Sequence, residues 1–343
     1  MEIERLCQLP GLSGDEFEVQ AYLADCYQQL GLTLKRDRLG SVFGEREMVN
    51  SPFKVMISAN LDEVGGIIDG IEANGLLSFV PVSAQAEQFN RQCVHVLTRT
   101  HQIIRGYIFQ SDSRYFIDIG CHQAAAVDAL DIKIGDTFVL DLPTYWQGEH
   151  LFSKNLNNRL GLWVAHDVMQ KVMRNVSPLP YTLAIGGIAQ SRVGYRGAIT
   201  ATNLIQPEIA LVIDTAYVRA YQPNSIYLRY FDKTLLPNRQ LLERLKATAM
   251  RLGYQVVGQL QDDGTDGSFI HKTQLGAATL VVIIPMAYSR DFMQSVDWRD
   301  VAHLVEVLTA FMTELDVTTV SALTFQEKQY ESVAETKAGD LDD

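Results

Sequence analysis

Cysteine is scarce in this chain of 343 residues: Cys7, Cys26, Cys93 and Cys121 are the only four, and no two form a C-x-x-C pair. Thiols so widely spaced read as free groups in a reducing compartment, not as a disulfide framework or a structural zinc site. Long apolar runs are also missing. No stretch approaches the roughly 18 to 20 residues that cross a bilayer, and the opening MEIERLCQLPG lacks the apolar core of a signal peptide. Basic runs are absent too. Lys and Arg number 29 against 41 Asp and Glu, a net charge of −12, so neither nucleic acid nor an anionic membrane is an expected partner. The seven histidines fall in no H-E-x-x-H spacing, and there is no G-x-S-x-G elbow or G-x-x-x-x-G-K-S/T phosphate loop. The expectation is a soluble, cytoplasmic protein.

What is present is enough apolar material for large cores: 47% of residues are hydrophobic and 20% charged, in a length that suits two domains. Ser13 three residues before Glu16 suggests a capping box opening an amphipathic helix through Phe17, Val19, Leu23, Tyr27 and Leu30. Phe53 to Ala59 reads as a buried strand. From Gly66 to Ser153 only short strand-like pieces occur, broken by Gly, Asn, Asp and Ser, which predicts a small all-β unit, a barrel or a sandwich. Beyond Lys154 helix and strand alternate, with Leu160, Val164, Val168 and Val172 on one helix face and strands at 181–187, 209–213 and 279–284. The longest stripe runs from Trp298 to Leu315. The predicted class is α/β, a mostly parallel sheet flanked by helices with an inserted small all-β domain. Its parts are an α/β domain of residues 1–66 and 154–320, the insert 67–153, and an acidic tail 321–343.

Ligands of α/β domains meet at loops beyond the carboxyl ends of strands. Those loops carry Asn60, Asp62, Glu63, Asn157, Arg159, Ser191, Arg192, Asp214, Thr265, Asp266 and Arg290. Each residue alone is equally a cap, a turn former or a solvated charge. The motifs around them, in order, are GLSGDE (11–16), SANLDEVGG (58–66), FIDIG (116–120), IKIGD (132–136), LNNRLG (156–161), AQSRVGYRGA (189–198), ALVID ending at Asp214, GTDG (264–267) and IIPMAYSR (283–290). Together the sequence resembles the M42 metallo-aminopeptidases, the glutamyl and tetrahedral aminopeptidase group, to about residue 317.

That resemblance implies a zinc-peptidase-like fold, a homo-oligomer of at least two copies, and two zinc ions held by His, a bridging Asp, Glu, Asp and His, with a further Glu as general base. The matching positions here are Asn60, Asn157, Arg192, Asp214 and Arg290, with Ser191 at the general base; the Arg three positions before the last His is Ala287. Only Asp214 keeps a metal-binding side chain. Asn is a weak neutral donor, Arg is protonated at every accessible pH, and Ser cannot take a proton from a metal-bound water. The expectation is therefore no catalytic residue, no metal, and an arginine-lined pocket in which Arg192 and Arg290 replace the zincs as counter-ions to Asp62 and Asp214. Asp62, Glu63, Arg159, Arg196, Thr265 and Asp266 match the family and suit structural or supporting roles. Three functions stay open: binding of an anionic small molecule or peptide carboxylate, an assembly or regulatory subunit of active relatives, and a hydrolase with an unusual site.

Overall fold

A computed structural model describes residues 1–100, 102–174 and 178–323. Eight strands form one sheet in the order Thr33–Arg36, Val42–Arg46, Thr182–Ile188, Lys54–Asn60, Ile209–Ala216, Ala278–Pro285, Ser225–Asp232 and Gln255–Gln261. Its centre is parallel: Lys54–Asn60 pairs in parallel with both Thr182–Ile188 and Ile209–Ala216, and the latter with Ala278–Pro285. Thr182–Ile188 is buried at every residue, as expected of a strand covered on both faces. Antiparallel pairs flank this centre and Ser225–Asp232 pairs in parallel with Gln255–Gln261 at the far edge, so the sheet is mixed with a parallel majority. The helices Phe17–Gln29, Leu156–Arg174, Arg239–Arg251 and Trp298–Glu314 bury one face of the sheet in a single apolar cluster. Arg196–Ile205 and the short Gly267–Ile270 cover the other.

The expected stripe of Leu160, Val164, Val168 and Val172 is fully or almost fully buried along Leu156–Arg174. Burial of such side chains contributes about 1.5–3 kcal/mol each, which fixes this helix across the sheet. Gly161 is the point of closest approach. A Cβ there would lie 2.5 Å from Ala59 Cβ and 2.9 Å from the Ile213 carbonyl oxygen. The helix thus sits directly above the ends of two central strands.

Between the first and second halves of the sheet the chain forms a closed antiparallel barrel of Gly65–Ile71, Leu77–Val82, Cys93–Leu97, Ile103–Ser111, Arg114–Asp118 and Thr137–Leu140. Phe79, Phe89 and Phe138 fill it with edge-to-face contacts at centroid separations of 4.9–6.2 Å. The hairpin Tyr145–Gln147 and His150–Ser153 stands outside the barrel and pairs with Gln294–Asp297, the strand that leads into helix Trp298–Glu314. The last described element is the helix Val317–Leu323. The acidic tail beyond residue 323 lies outside the described residues. Among those described, no helix is long and apolar enough to cross a membrane.

The anticipated capping box at Ser13 and Glu16 does not form. Glu16 is the N-cap residue of Phe17–Gln29 but makes no side-chain cap. Ser13 Oγ donates to Asp62 Oδ2 at 2.5 Å, and Glu16 Oε1 accepts from the Gln190 amide at 2.9 Å. Both side chains hold the loops of the site instead of their own helix, because long-range partners there outbid a local one.

Candidate functional site

The loops at the carboxyl ends of the central strands enclose a cavity of about 1290 Å³. Asn60, Asn157, Ser191, Arg192, Asp214, Thr265, Asp266 and Arg290 line it. Five of these come from separate strand ends or helix starts, so the juxtaposition read from motif order is present in space. Asp62, Glu63 and Arg159 are fully buried and do not line it.

Those three residues build the floor. Glu63 is fully buried; its Oε1 accepts from the Gly11 amide at 2.8 Å and its Oε2 from Asn155 Nδ2 at 2.5 Å and Lys154 Nζ at 3.3 Å. Arg159, also fully buried, donates to the carbonyls of Leu61 and Leu9 and lies 3.8 Å from Glu63. A buried charge left without such partners costs several kcal/mol, so this network is a folding device. Thr265 joins a second network by donating to Asp232 Oδ2 at 2.5 Å.

The arginines do not occupy the places expected of them. Asp62 Oδ2 accepts the backbone amide of Arg192 at 2.8 Å, while the Arg192 side chain donates from Nε to the Asp62 carbonyl at 3.2 Å and from Nη2 to Asn158 Oδ1 at 2.8 Å. Asn158 in turn donates to the same Asp62 carbonyl. Arg290 is exposed at the rim and enters no ion pair among the described residues. The cation on Asp214 is a residue that the sequence did not single out, Arg229. Its Nη2 lies 3.3 Å from Asp214 Oδ2, and its Nη1 lies 3.3 Å from Asp263 and 3.5 Å from Asp232. The signal was an arginine directly after the largely apolar run SIYL within strand Ser225–Asp232, and its side chain is 1% exposed.

Burial dominates the acid–base behaviour of the cavity. It pushes Asp214 up to about 6 against the pull of Arg229. It pushes Asp266 up to about 8, opposed by a hydrogen bond from Ser191. Ser191 Oγ lies 2.9 and 3.0 Å from the two carboxylate oxygens of Asp266. Burial also lowers the Arg192 guanidinium, with Asp62 and Glu63 opposing it.

A pair of divalent cations does not fit this donor set. At the five positions that match the family's metal ligands, Asn60 and Asn157 offer neutral amides, Arg192 and Arg290 offer no donor to a cation, and the one carboxylate among the five, Asp214, is already held by Arg229. Among the described residues no three His, Cys, Asp or Glu side chains are grouped to hold a metal ion.

A mixed α/β sheet flanked by helices, with a closed antiparallel barrel inserted in its sequence, is an architecture similar to that of the TET aminopeptidases. The chain belongs to the M42 family: the model of M42 glutamyl aminopeptidase matches residues 40–307. It is 26% identical to FrvX of Escherichia coli over 93% of this chain and 96% of that one. It is 23% identical to the glutamyl aminopeptidase of Lactococcus lactis, covering 94% of this chain and 98% of that one. The crystal structure of a TET aminopeptidase from a marine sediment thaumarchaeon superposes with a TM-score of 0.88 at 23% identity, covering 94% of this chain and 98% of that one.

Proposed function

We propose that this M42 member binds an anionic ligand, a peptide carboxylate or a small organic acid, in the strand-end cavity and does not run di-zinc aminopeptidase chemistry there. The observation that carries the reading is the Arg229–Asp214 pair beside Arg192, where the family resemblance would place the two ions. Charge pairing supports the anionic preference. Arg192, Arg219, Lys233 and Arg290 line the cavity without an ion pair among the described residues, whereas of the four lining carboxylates Asp214 and Asp263 are engaged by Arg229 and Asp266 by Ser191, which leaves Asp291 alone unpaired. Arginine suits a carboxylate because its planar fork can donate two parallel hydrogen bonds.

Titration calorimetry with succinate, citrate, inorganic phosphate and short peptides tests this. At least one carboxylate is expected to bind, and Arg192→Met to weaken it roughly 10- to 100-fold, the range of a charged hydrogen bond. The opposing reading, hydrolysis, draws on the family itself, whose relatives include the lysyl aminopeptidase of Pyrococcus furiosus. Zinc-dependent cleavage of leucyl or glutamyl p-nitroanilide would overturn our reading. The TET1 peptidase of Pyrococcus horikoshii can assemble into a tetrahedron or a large octahedral shell. For the present chain we infer self-association at least to a dimer, which light scattering would measure, and a cytoplasmic site of action.

A further inference from the structure

Ser191 and Asp266 come from different parts of the chain, the loop after strand Thr182–Ile188 and the residue before helix Gly267–Ile270. Both side chains open onto the cavity, yet each residue is only 4% exposed. The Ser191 hydroxyl bonds the Asp266 carboxyl, and no other side chain bonds it among the described residues. Arg192, next in the chain to Ser191 and also lining the cavity, is fixed through Nε and Nη2, while its Nη1 has no hydrogen-bond acceptor among the described residues. A nucleophile in contact with a base, next to a positioned cation, is the minimum arrangement for acyl transfer.

We propose that Ser191 is an acyl-accepting nucleophile served by Asp266, acting on an ester or thioester whose acyl part carries the carboxylate held by the cavity cations. The substrate's anionic group rests on the binding reading above; the Ser191–Asp266 pair does not. In the first step Asp266, in its carboxylate form, takes the Ser191 hydroxyl proton as Oγ bonds to the acyl carbon, and the carbonyl electron pair moves onto oxygen opposite Arg192. The carbonyl re-forms, the bond to the alkoxide or thiolate breaks, and the leaving group takes the proton from Asp266. Water then attacks the acyl-serine, giving its proton to Asp266, which passes it to Oγ as the acid departs. Esters and thioesters are the fitting class because a carboxylate is a weaker base than imidazole, and their leaving groups depart far more readily than an amine.

The test uses the full-length protein and a fluorophosphonate probe, read by intact mass and by mapping of the labelled peptide. The expected result is one adduct per chain on Ser191, absent in Ser191→Ala and formed about 100-fold more slowly in Asp266→Asn, the loss typical of removing an acid–base partner. Hydrolysis of p-nitrophenyl hydrogen succinate should follow the same order. No adduct on Ser191 in the unaltered protein, or equal rates with and without the Asp266 carboxyl, overturns the proposal. The unaltered protein carries the decisive measurement should Asp266→Asn fail to fold. Succinate binding to Ser191→Ala, measured separately, separates failure of the nucleophile from failure of the anion site.

Discussion

Arg229 concentrates the local electrostatics of the cavity in one side chain, because three carboxylates converge on a guanidinium with almost no access to water. Removing one partner of such a group leaves the others uncompensated, a loss of about 3–5 kcal/mol. Arg229→Met is therefore expected to lower the urea midpoint by that free energy with little change in slope. Adding Asp214→Asn should restore part of it, since the second change removes one of the stranded charges. Asp263, more than half exposed, should contribute much less to that recovery. At this scale sequence and structure part company in an instructive way. Asn60, Asn157, Ser191, Arg192 and Asp214 could be placed from motif order, since each sits at a fixed offset from a strand or helix end. Which arginine meets which carboxylate could not, because a pairing between residues 214 and 229 depends on strand order, and the partner strand runs antiparallel to its neighbour in the sheet.

The helix Leu156–Arg174 links packing to the site, for its first turn carries Asn157, Asn158 and Arg159 while its later turns are core. Because Gly161 leaves no room for a methyl group against Ala59 and the Ile213 carbonyl, Gly161→Ala should push the helix off two strands at once. The expected cost is about 1–3 kcal/mol of stability, the range for overpacking, together with weakened ligand binding as Asn158 and Arg192 separate. Thermal unfolding and calorimetry on the same variant measure both effects, and an unchanged melting temperature would contradict the packing argument. Elements with a single strong period were the legible ones. The helix stripes at 160–172 and 298–315 and the largely apolar central strands follow from burial alone. The outer strands Thr33–Arg36 and Val42–Arg46 passed unmarked, since the first is short and half exposed and the second carries Gly44, Glu45 and Arg46. The expected cap at Ser13 failed for a related reason: local propensity predicts a local partner, and folding supplied Asp62 from 49 residues away.

For the molecule as a whole, carboxyl groups of this kind set how stability varies with pH and with metal. Burial raises Glu16 to about 7, Asp214 to about 6, Asp266 to about 8 and Asp300 to about 6. In the unfolded chain these groups titrate near 4, so between roughly pH 4 and 8 the folded state binds more protons than the unfolded one. The sign follows directly: stability is highest at the acid end of that window and falls as pH rises through the folded values. The melting temperature should decline from about pH 5 to pH 9, and Asp266→Asn should remove the portion of the decline nearest pH 8. A di-zinc protein would behave otherwise, because bound cations favour ionised ligands and add stability in proportion to the logarithm of their concentration. Here the charge opposite Asp214 is covalently part of the chain. EDTA should therefore leave the melting temperature within error of the untreated protein at pH 7, added zinc should not raise it, and elemental analysis should find well below one ion per chain. A stabilisation by zinc that Asp214→Asn abolishes would instead mean that Arg229 yields its place to a metal, and the anion-binding reading of the cavity would fall with it.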